Sequence, residues 1–262
     1  MLVIIMRIVY FANGPVALEI LRFLRSEGEE IVALVLHDEG HRRLSDELIK
    51  ESGLPPSLVF GASALRDPEA VLQLSQLGAD IGFSALFGVI LKTPVLQLFP
   101  RGVVNVHPGY LPYNRGRNPQ IWAIIDGTPA GASLHYMDNG VDTGPLIKGV
   151  EVSVDLSDTG ASLRTKLEQA CVEVTRLGWP SVQSGFTPSR QDHNQGSAHR
   201  LNDVESINEI DLDATYRGRD LINLLRALSS PPQSRGAYFK TDFGRVWISV
   251  DMQPEADSPF LP

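Results

Sequence analysis

Apolar residues fall along this chain in two alternating rhythms, short uninterrupted runs and stripes at helical spacing. Arg7-Ile-Val-Tyr-Phe-Ala12 and Ile31-Val-Ala-Leu-Val-Leu36 are nearly continuous apolar runs, the pattern of parallel strands covered on both faces. Asn13-Gly14-Pro15 ends the first of them. Ala17, Ile20, Leu21 and Leu24 then mark one face of a helix, with Pro15 in its first turn, where a missing N–H costs nothing. Asp67-Pro68-Glu69 predicts the capped start of a further helix bearing Val71, Leu74 and Leu77, and Ala79 to Ala85 predicts another strand that runs into an apolar turn, Leu86 to Leu91. Val103-Val104-Asn105-Val106-His107 is a short strand that Pro108-Gly109 must break. Asn118 and Pro119 look like the N-cap and first turn of a helix through Ile121, Trp122, Ile124 and Ile125. Strands are expected over Ala132–Met137 and from Leu146 to Val154.

From Ser157 or Asp158 a helix should run to about Gly178, with the stripe Leu163, Leu167, Ala170, Cys171, Val174 and Leu177. Gln183 to Arg200 is polar and without period, which marks a boundary between a domain over 1–183 and a smaller one over 184–262, with a linker at about 184–200. Beyond it, Asp213 should begin a helix with Tyr216, Leu221, Leu224, Leu225 and Leu228. Thr241-Asp-Phe-Gly244, between two β-rich runs, signals a hairpin whose Tyr238, Phe239 and Trp247 form the small domain's core or an interface between two copies. The proline-rich acidic tail should be loosely held. Strands alternating with helices predict an α/β architecture, a mostly parallel sheet with helices on both faces, followed by a small α+β helix-and-hairpin region.

Composition narrows the partners. With 262 residues, 43% of them hydrophobic, the chain can bury a large core, and its net charge of −8 argues against nucleic acid or a membrane surface as the main partner. Met1 to Met6 is apolar but too short to span a bilayer and lacks a cleavage site, so the cytoplasm is the expected location. The single cysteine, Cys171, sits on a helical stripe and reads as a buried structural thiol. The histidines show no ligand spacing, so no metal is expected; His193 and His199 fall in the polar linker and read as solvated, and His135 reads as packed in its strand.

The chemistry concentrates around the strand that ends at His107. Side chains alternate along a strand, so Asn105 and His107 project from one face, at the carboxyl edge where open α/β sheets bind ligands. A carboxamide donates to a developing oxyanion and an imidazole takes a proton near neutral pH, a combination suited to acyl transfer. Met137-Asp138-Asn139-Gly140-Val141-Asp142-Thr143-Gly144 describes a tight loop whose carboxylate can reach the imidazole. Two arginines, Arg115 and Arg117, lie beside the helix start at Asn118, a credible anion site. Arg115 reads equally well as a pin for its own loop.

Asn-x-His, then Leu-Pro-x-x-Arg-Gly, then Met-Asp-x-Gly-x-Asp-Thr-Gly, in that order, resembles the formyltransferases that use N10-formyltetrahydrofolate, over roughly the first two thirds of the chain. The resemblance implies a Rossmann-like sheet and the catalytic trio Asn105, His107 and Asp142. It also implies a folate site at the turn around Phe87, Gly88 and Ile90 and the loop around Asp138. Among the family's branches, the tRNA enzymes are longer with a basic C-terminal barrel, and the glycinamide ribonucleotide enzymes usually end near the long helix. The sugar N-formyltransferases, with a compact helix-and-hairpin tail and often Leu-Pro-Tyr-Asn-Arg-Gly, fit best. The implied acceptor is a nucleotide-linked amino sugar, with Arg117 on its pyrophosphate and Tyr113 or Asn114 on sugar hydroxyls; a homodimer is compatible with this. The other readings are a different small amine, methionyl-tRNA, or a folate-binding module without activity.

Overall fold

The structure is a computed structural model that describes residues 5–192, 194–230 and 236–253. Its centre is a seven-stranded sheet in the order β3-β2-β1-β4-β5-β7-β8. The strands are β1 (Arg7–Ala12), β2 (Glu30–Leu36), β3 (Val59–Gly61), β4 (Ile81–Ala85), β5 (Val103–His107), β7 (Ala130–Tyr136) and β8 (Leu146–Val152). The first five are parallel, while β7 and β8 join antiparallel at the far edge. The two remaining β pairs lie outside this sheet: β6 (Arg115–Gly116) runs parallel with β9 (Ala198–His199), and β10 (Ala237–Thr241) forms a hairpin with β11 (Gly244–Ile248). The expected α/β sheet and the C-terminal hairpin are therefore both present.

Burial in β1 shows why the apolar runs are continuous. Ile8, Tyr10 and Ala12 join a core with helices α1 (Pro15–Ser26), α2 (Ser45–Ser52) and α6 (Gly160–Ser184). Val9 and Phe11 point the opposite way, into a core completed by α3 (Pro68–Gln76) and α4 (Thr93–Leu96). Both faces are covered, so both parities must be apolar. A third core joins α5 (Pro119–Asp126), the first turns of α6, α7 (Gly218–Leu228) and the hairpin. There Ala237 and Tyr238 are buried while Val246 is exposed. Among the described residues no helix is long and apolar enough to cross a membrane.

Several boundaries differ from the sequence expectation for identifiable reasons. Helix α6 starts in a capping box, in which the Thr159 hydroxyl accepts from Ser162 N and the Ser162 hydroxyl from Thr159 N. It does not stop at Gly178. It continues through Pro180 to Ser184, forgoing one ladder bond at the proline. The gain lies on the buried side: Trp179 is fully buried and its Nε1 donates to Glu29 Oε1 at 2.9 Å, where Gln183 Nε2 also donates at 2.6 Å. Glu29 Oε2 accepts from Met6 N at 2.6 Å, so the helix end is tied to the entry of β1. Leu177, by contrast, is 52% exposed and leaves the stripe. Gly178 takes its place, for a Cβ there would come within 2.7 Å of Leu134 Cδ2 on β7.

Helix α7 begins at Gly218 rather than Asp213, because residues 211–216 form a turn in which Asp211 Oδ1 accepts from Asp213 N and Tyr216 Oη from Asp211 N. The polar stretch after α6 is a strap drawn across the sheet's carboxyl edge. Ser189 pairs with Leu146, and Ala198–His199 pair with Arg115–Gly116. His199 is not solvated: its ring stacks on Trp122 with centroids 4.0 Å apart and planes 6° from parallel, and Nε2 lies 3.5 Å from Asp126. His193 and the tail from 254 lie outside the described residues.

Candidate active site

The strands, not the loops, decide which polar groups meet. Register places Asn105 on β5 directly opposite His135 on β7, and Asn105 Nδ2 lies 3.0 Å from His135 Nε2. His135 Nδ1 lies 2.8 Å from the Tyr136 carbonyl, which can only accept, so Nδ1 carries the proton. The neutral ring's Nε2 is then the acceptor for one amide hydrogen of Asn105. The second hydrogen of that amide is free to serve another acceptor.

Two residues along the same strand, His107 is 5% exposed. Its Nδ1 lies 3.4 Å from Asp142 Oδ2, and its Nε2 lies 3.0 Å from the Asn114 carbonyl. Gly109 makes room for this pose, since a Cβ there would come 2.6 Å from His107 Nε2. Both ring nitrogens thus face acceptors. Asp142 also lies 3.5 Å from His135 Nε2 through Oδ1 and accepts from Gly116 N at 2.9 Å through Oδ2. Burial works to raise its pKa, but the charge on a protonated His107 and the Gly116 N–H outweigh it and hold the carboxyl well below the usual range. Asp142 is an anion paired with His107, while the neutral His135 turns its Nε2 lone pair to Asn105.

The structure therefore brings Asn105, His107 and Asp142 into one cluster and adds His135 to it. His135 has no local signal that separates it from a packed core histidine; only the antiparallel register opposite Asn105 shows its place. The remaining sequence candidates divide. Asn114 is 1% exposed, donates through Nδ2 to Thr128 Oγ1 at 2.8 Å and accepts at Oδ1 from Ser197 Oγ at 3.1 Å. Its side chain is committed inside the fold, which corrects its assignment to sugar hydroxyls. Tyr113 is half-buried at the same loop.

Arg117 is exposed and donates to the Gly88 carbonyl at 3.3 Å, linking the helix start at Asn118 to the apolar turn. Asn118 stands at the N-cap of α5 with left-handed backbone and makes no side-chain cap bond. Arg115 donates from Nε to the Ser197 carbonyl at 3.4 Å, which fits the loop-pinning role.

Around the turn from Leu86, the Phe87 side chain is fully buried against Phe11 and the edge of His37, and its carbonyl is hydrogen-bonded to the His37 ring. Only its backbone can face a ligand. Ile90 is 74% exposed, and Val141 on the acidic loop is 53% exposed. The Thr93 hydroxyl donates to Asn139 Oδ1 at 2.9 Å, so the two loops stand side by side. Asp138 is engaged within its own loop by Gly140 N and the Thr143 hydroxyl. Exposed apolar side chains on two joined loops, with backbone groups between them, suit a flat aromatic heterocycle. Among the described residues no group of three His, Cys, Asp or Glu side chains could hold a metal ion.

A family model described as formyl transferase matches residues 6–175, and one described as the N-formyltransferase dimerization C-terminal domain matches residues 203–254. The dTDP-4-amino-4,6-dideoxyglucose formyltransferase of Mycobacterium tuberculosis is 30% identical over 176 residues, covering 64% of this chain and 75% of that one. A methionyl-tRNA formyltransferase of Symbiobacterium thermophilum is also 30% identical, over 259 residues that cover 95% of this chain and 78% of that one. Among solved structures, a 4-N formyltransferase from Francisella tularensis has a TM-score of 0.79 at 23% identity, covering 95% of this chain and 98% of that one. An N-formyltransferase from Helicobacter canadensis, in complex with folinic acid and dTDP-3-aminofucose, has a TM-score of 0.67 at 17% identity, covering 86% and 81%. These structural likenesses speak for a shared fold.

Proposed function

The chain belongs to the formyl transferase family, and from that premise we propose that it transfers a formyl group from N10-formyltetrahydrofolate to the amine of a nucleotide-linked amino sugar. The observation that carries the reading is the approach of Asp142 to His107 beside Asn105, three groups from one strand and a loop. The folate supplies the formyl carbon. Asn105 holds the carbonyl oxygen with its second amide hydrogen as negative charge develops there, while His135 keeps the amide turned the right way. His107, with its proton on Nδ1 towards Asp142, turns Nε2 from the Asn114 carbonyl to take the proton that the attacking amine releases. Asp142 stabilises the imidazolium until that proton passes to N10 of the folate as the bond between N10 and the formyl carbon breaks.

The site is assigned to residues 1–183, and the region 184–262 is read as a smaller domain that pairs with a second copy. The apolar Ile90 and Val141 flank the pterin; Phe87 and Gly88 offer backbone, and Asp138 shapes the loop. Arg117 and the start of α5 face the pyrophosphate, and Tyr113 lines the sugar.

A sugar acceptor is favoured over tRNA by the net charge of −8 and by the C-terminal region, whose described elements past the strap are a 3-10 turn at Leu201–Ser206, helix α7 and a single hairpin rather than a barrel. The mycobacterial relative is named for a dTDP-linked amino sugar, and the Helicobacter structure holds a folate and a dTDP-amino sugar. The deciding experiment is donor turnover against a panel of dTDP-, UDP- and GDP-linked amino sugars, with glycinamide ribonucleotide and methionyl-tRNA alongside. Formylation of an amino sugar, lost in His107→Asn, is the expected result. Turnover with methionyl-tRNA alone would overturn the substrate assignment.

A further inference from the structure

We propose that Gln191, in the strap after α6, is a positioning residue that holds Asp142 in register with His107; the inference rests on the catalytic reading given above. Gln191 Nε2 donates to the Asp142 carbonyl at 2.9 Å and to the Gly144 carbonyl at 2.6 Å, so both amide hydrogens clamp one loop on either side of Thr143. That loop needs a clamp. Asp142 has φ of 53°, a left-handed conformation that a residue with a Cβ holds only where its surroundings over-determine it. Gly144 presses against β7, where a Cβ would sit 1.9 Å from the Tyr136 carbonyl, so the loop is fixed from the sheet side and Gln191 fixes it from the other. Were the clamp released, Asp142 would relax towards negative φ and its carboxylate would swing away from the His107 ring.

The strap reaches the catalytic pair by a second path. The Ser197 hydroxyl accepts from Asn114 N at 3.0 Å, and the Ser197 and His199 carbonyls accept from Arg115 N and Arg117 N. These bonds set the loop whose Asn114 carbonyl meets His107 and whose Gly116 N–H meets Asp142. Just before Gln191, Leu146 and Ser189 exchange backbone hydrogen bonds at 2.7 and 2.9 Å, which anchors the strap to the start of β8. Gln191 Oε1 is buried and has no donor among the described residues, so the side chain's hydrogen bonding is spent on the clamp.

The test is Gln191→Met, which keeps the side chain's length and removes both donors. A clamp acting through Asp142 predicts that kcat falls between about 10- and 100-fold while KM for each substrate stays within about twofold. In an Asp142→Asn background the same change should add nothing. Gln191→Asn, too short to span both carbonyls, should fall between wild type and Gln191→Met, and it serves if the methionine variant does not fold. A second readout needs no turnover. The ring N–H resonance of His107, identified by its loss in His107→Gln, should move in Gln191→Met and stay in place in Gln195→Met, whose side-chain amide donates to Asp192 in the wild type. Unchanged kcat with a lowered Tm, losses that multiply with Asp142→Asn, or an unmoved His107 resonance would each overturn the proposal. If no amino sugar is formylated, the substrate assignment fails, while the resonance still judges the clamp.

Discussion

His107 Nδ1 lies 3.4 Å from Asp142 Oδ2, and the same oxygen accepts from Gly116 N at 2.9 Å. Removing the charge without the shape, in Asp142→Asn, should therefore lower kcat by about 10²- to 10⁴-fold, the range for a lost acid–base contribution. KM should change far less, because Asp142 contacts the ring and the loop, not substrate. Steady-state kinetics at fixed folate donor checks this; a rise in KM at constant kcat would speak for a binding role.

Asn105 and His135 form the second pair. Asn105→Ala should cost about 10²- to 10³-fold in kcat, as for a lost oxyanion donor. His135→Phe should cost less, since it leaves the carboxamide in place but unoriented, and the two losses should be far from additive when combined. A double-mutant cycle on kcat measures this, and full additivity would separate His135 from Asn105.

Much of this arrangement was legible in the residues themselves. The apolar runs reveal the parallel strands because both faces of the sheet are covered, and the Asn105–His107 pair follows from strand alternation. What local pattern could not reveal depends on contacts between distant segments. Helix α6 overrides Pro180 because Glu29, far away in the chain, accepts the Trp179 and Gln183 donors. His135 looks like any strand histidine until register sets it opposite Asn105. The polar strap has no period because its bonds go to strand ends and loops distant in the chain, and its order comes from Ser189, Gln191 and Ser197 finding backbone groups and the Asn114 amide across the catalytic edge. Asn114, expected on sugar hydroxyls, is buried for the same reason, its amide bonded to Thr128 and Ser197.

The Glu29 junction predicts a stability effect separable from activity. Trp179→Ala removes a fully buried indole and should destabilise the protein by about 3–5 kcal/mol. Trp179→Phe keeps much of the packing but leaves the Glu29 carboxylate short of a donor, for a loss of about 1–3 kcal/mol. Urea denaturation would resolve the two. Equal losses would mean that the hydrogen bond, not packing volume, carries the helix past its proline, and no loss in Trp179→Phe would mean the reverse.

The stacked His199 and Trp122 supply a pH dependence. Burial lowers the His199 pKa, and the nearby Asp126 and Asp203 only partly offset it, so the folded protein favours the neutral ring. As pH falls, the unfolded chain takes up this proton first, near the ordinary histidine value of about 6.5. The folded state must lose stability from that point downward until it too is protonated. His199→Phe keeps an aromatic ring on Trp122 and removes the titration. Its Tm should accordingly fall less than the wild type's between about pH 7 and pH 5, by differential scanning calorimetry. Parallel Tm curves for the two proteins would mean that Asp126, 3.5 Å from Nε2, accepts the proton's charge well enough to cancel the cost of burial.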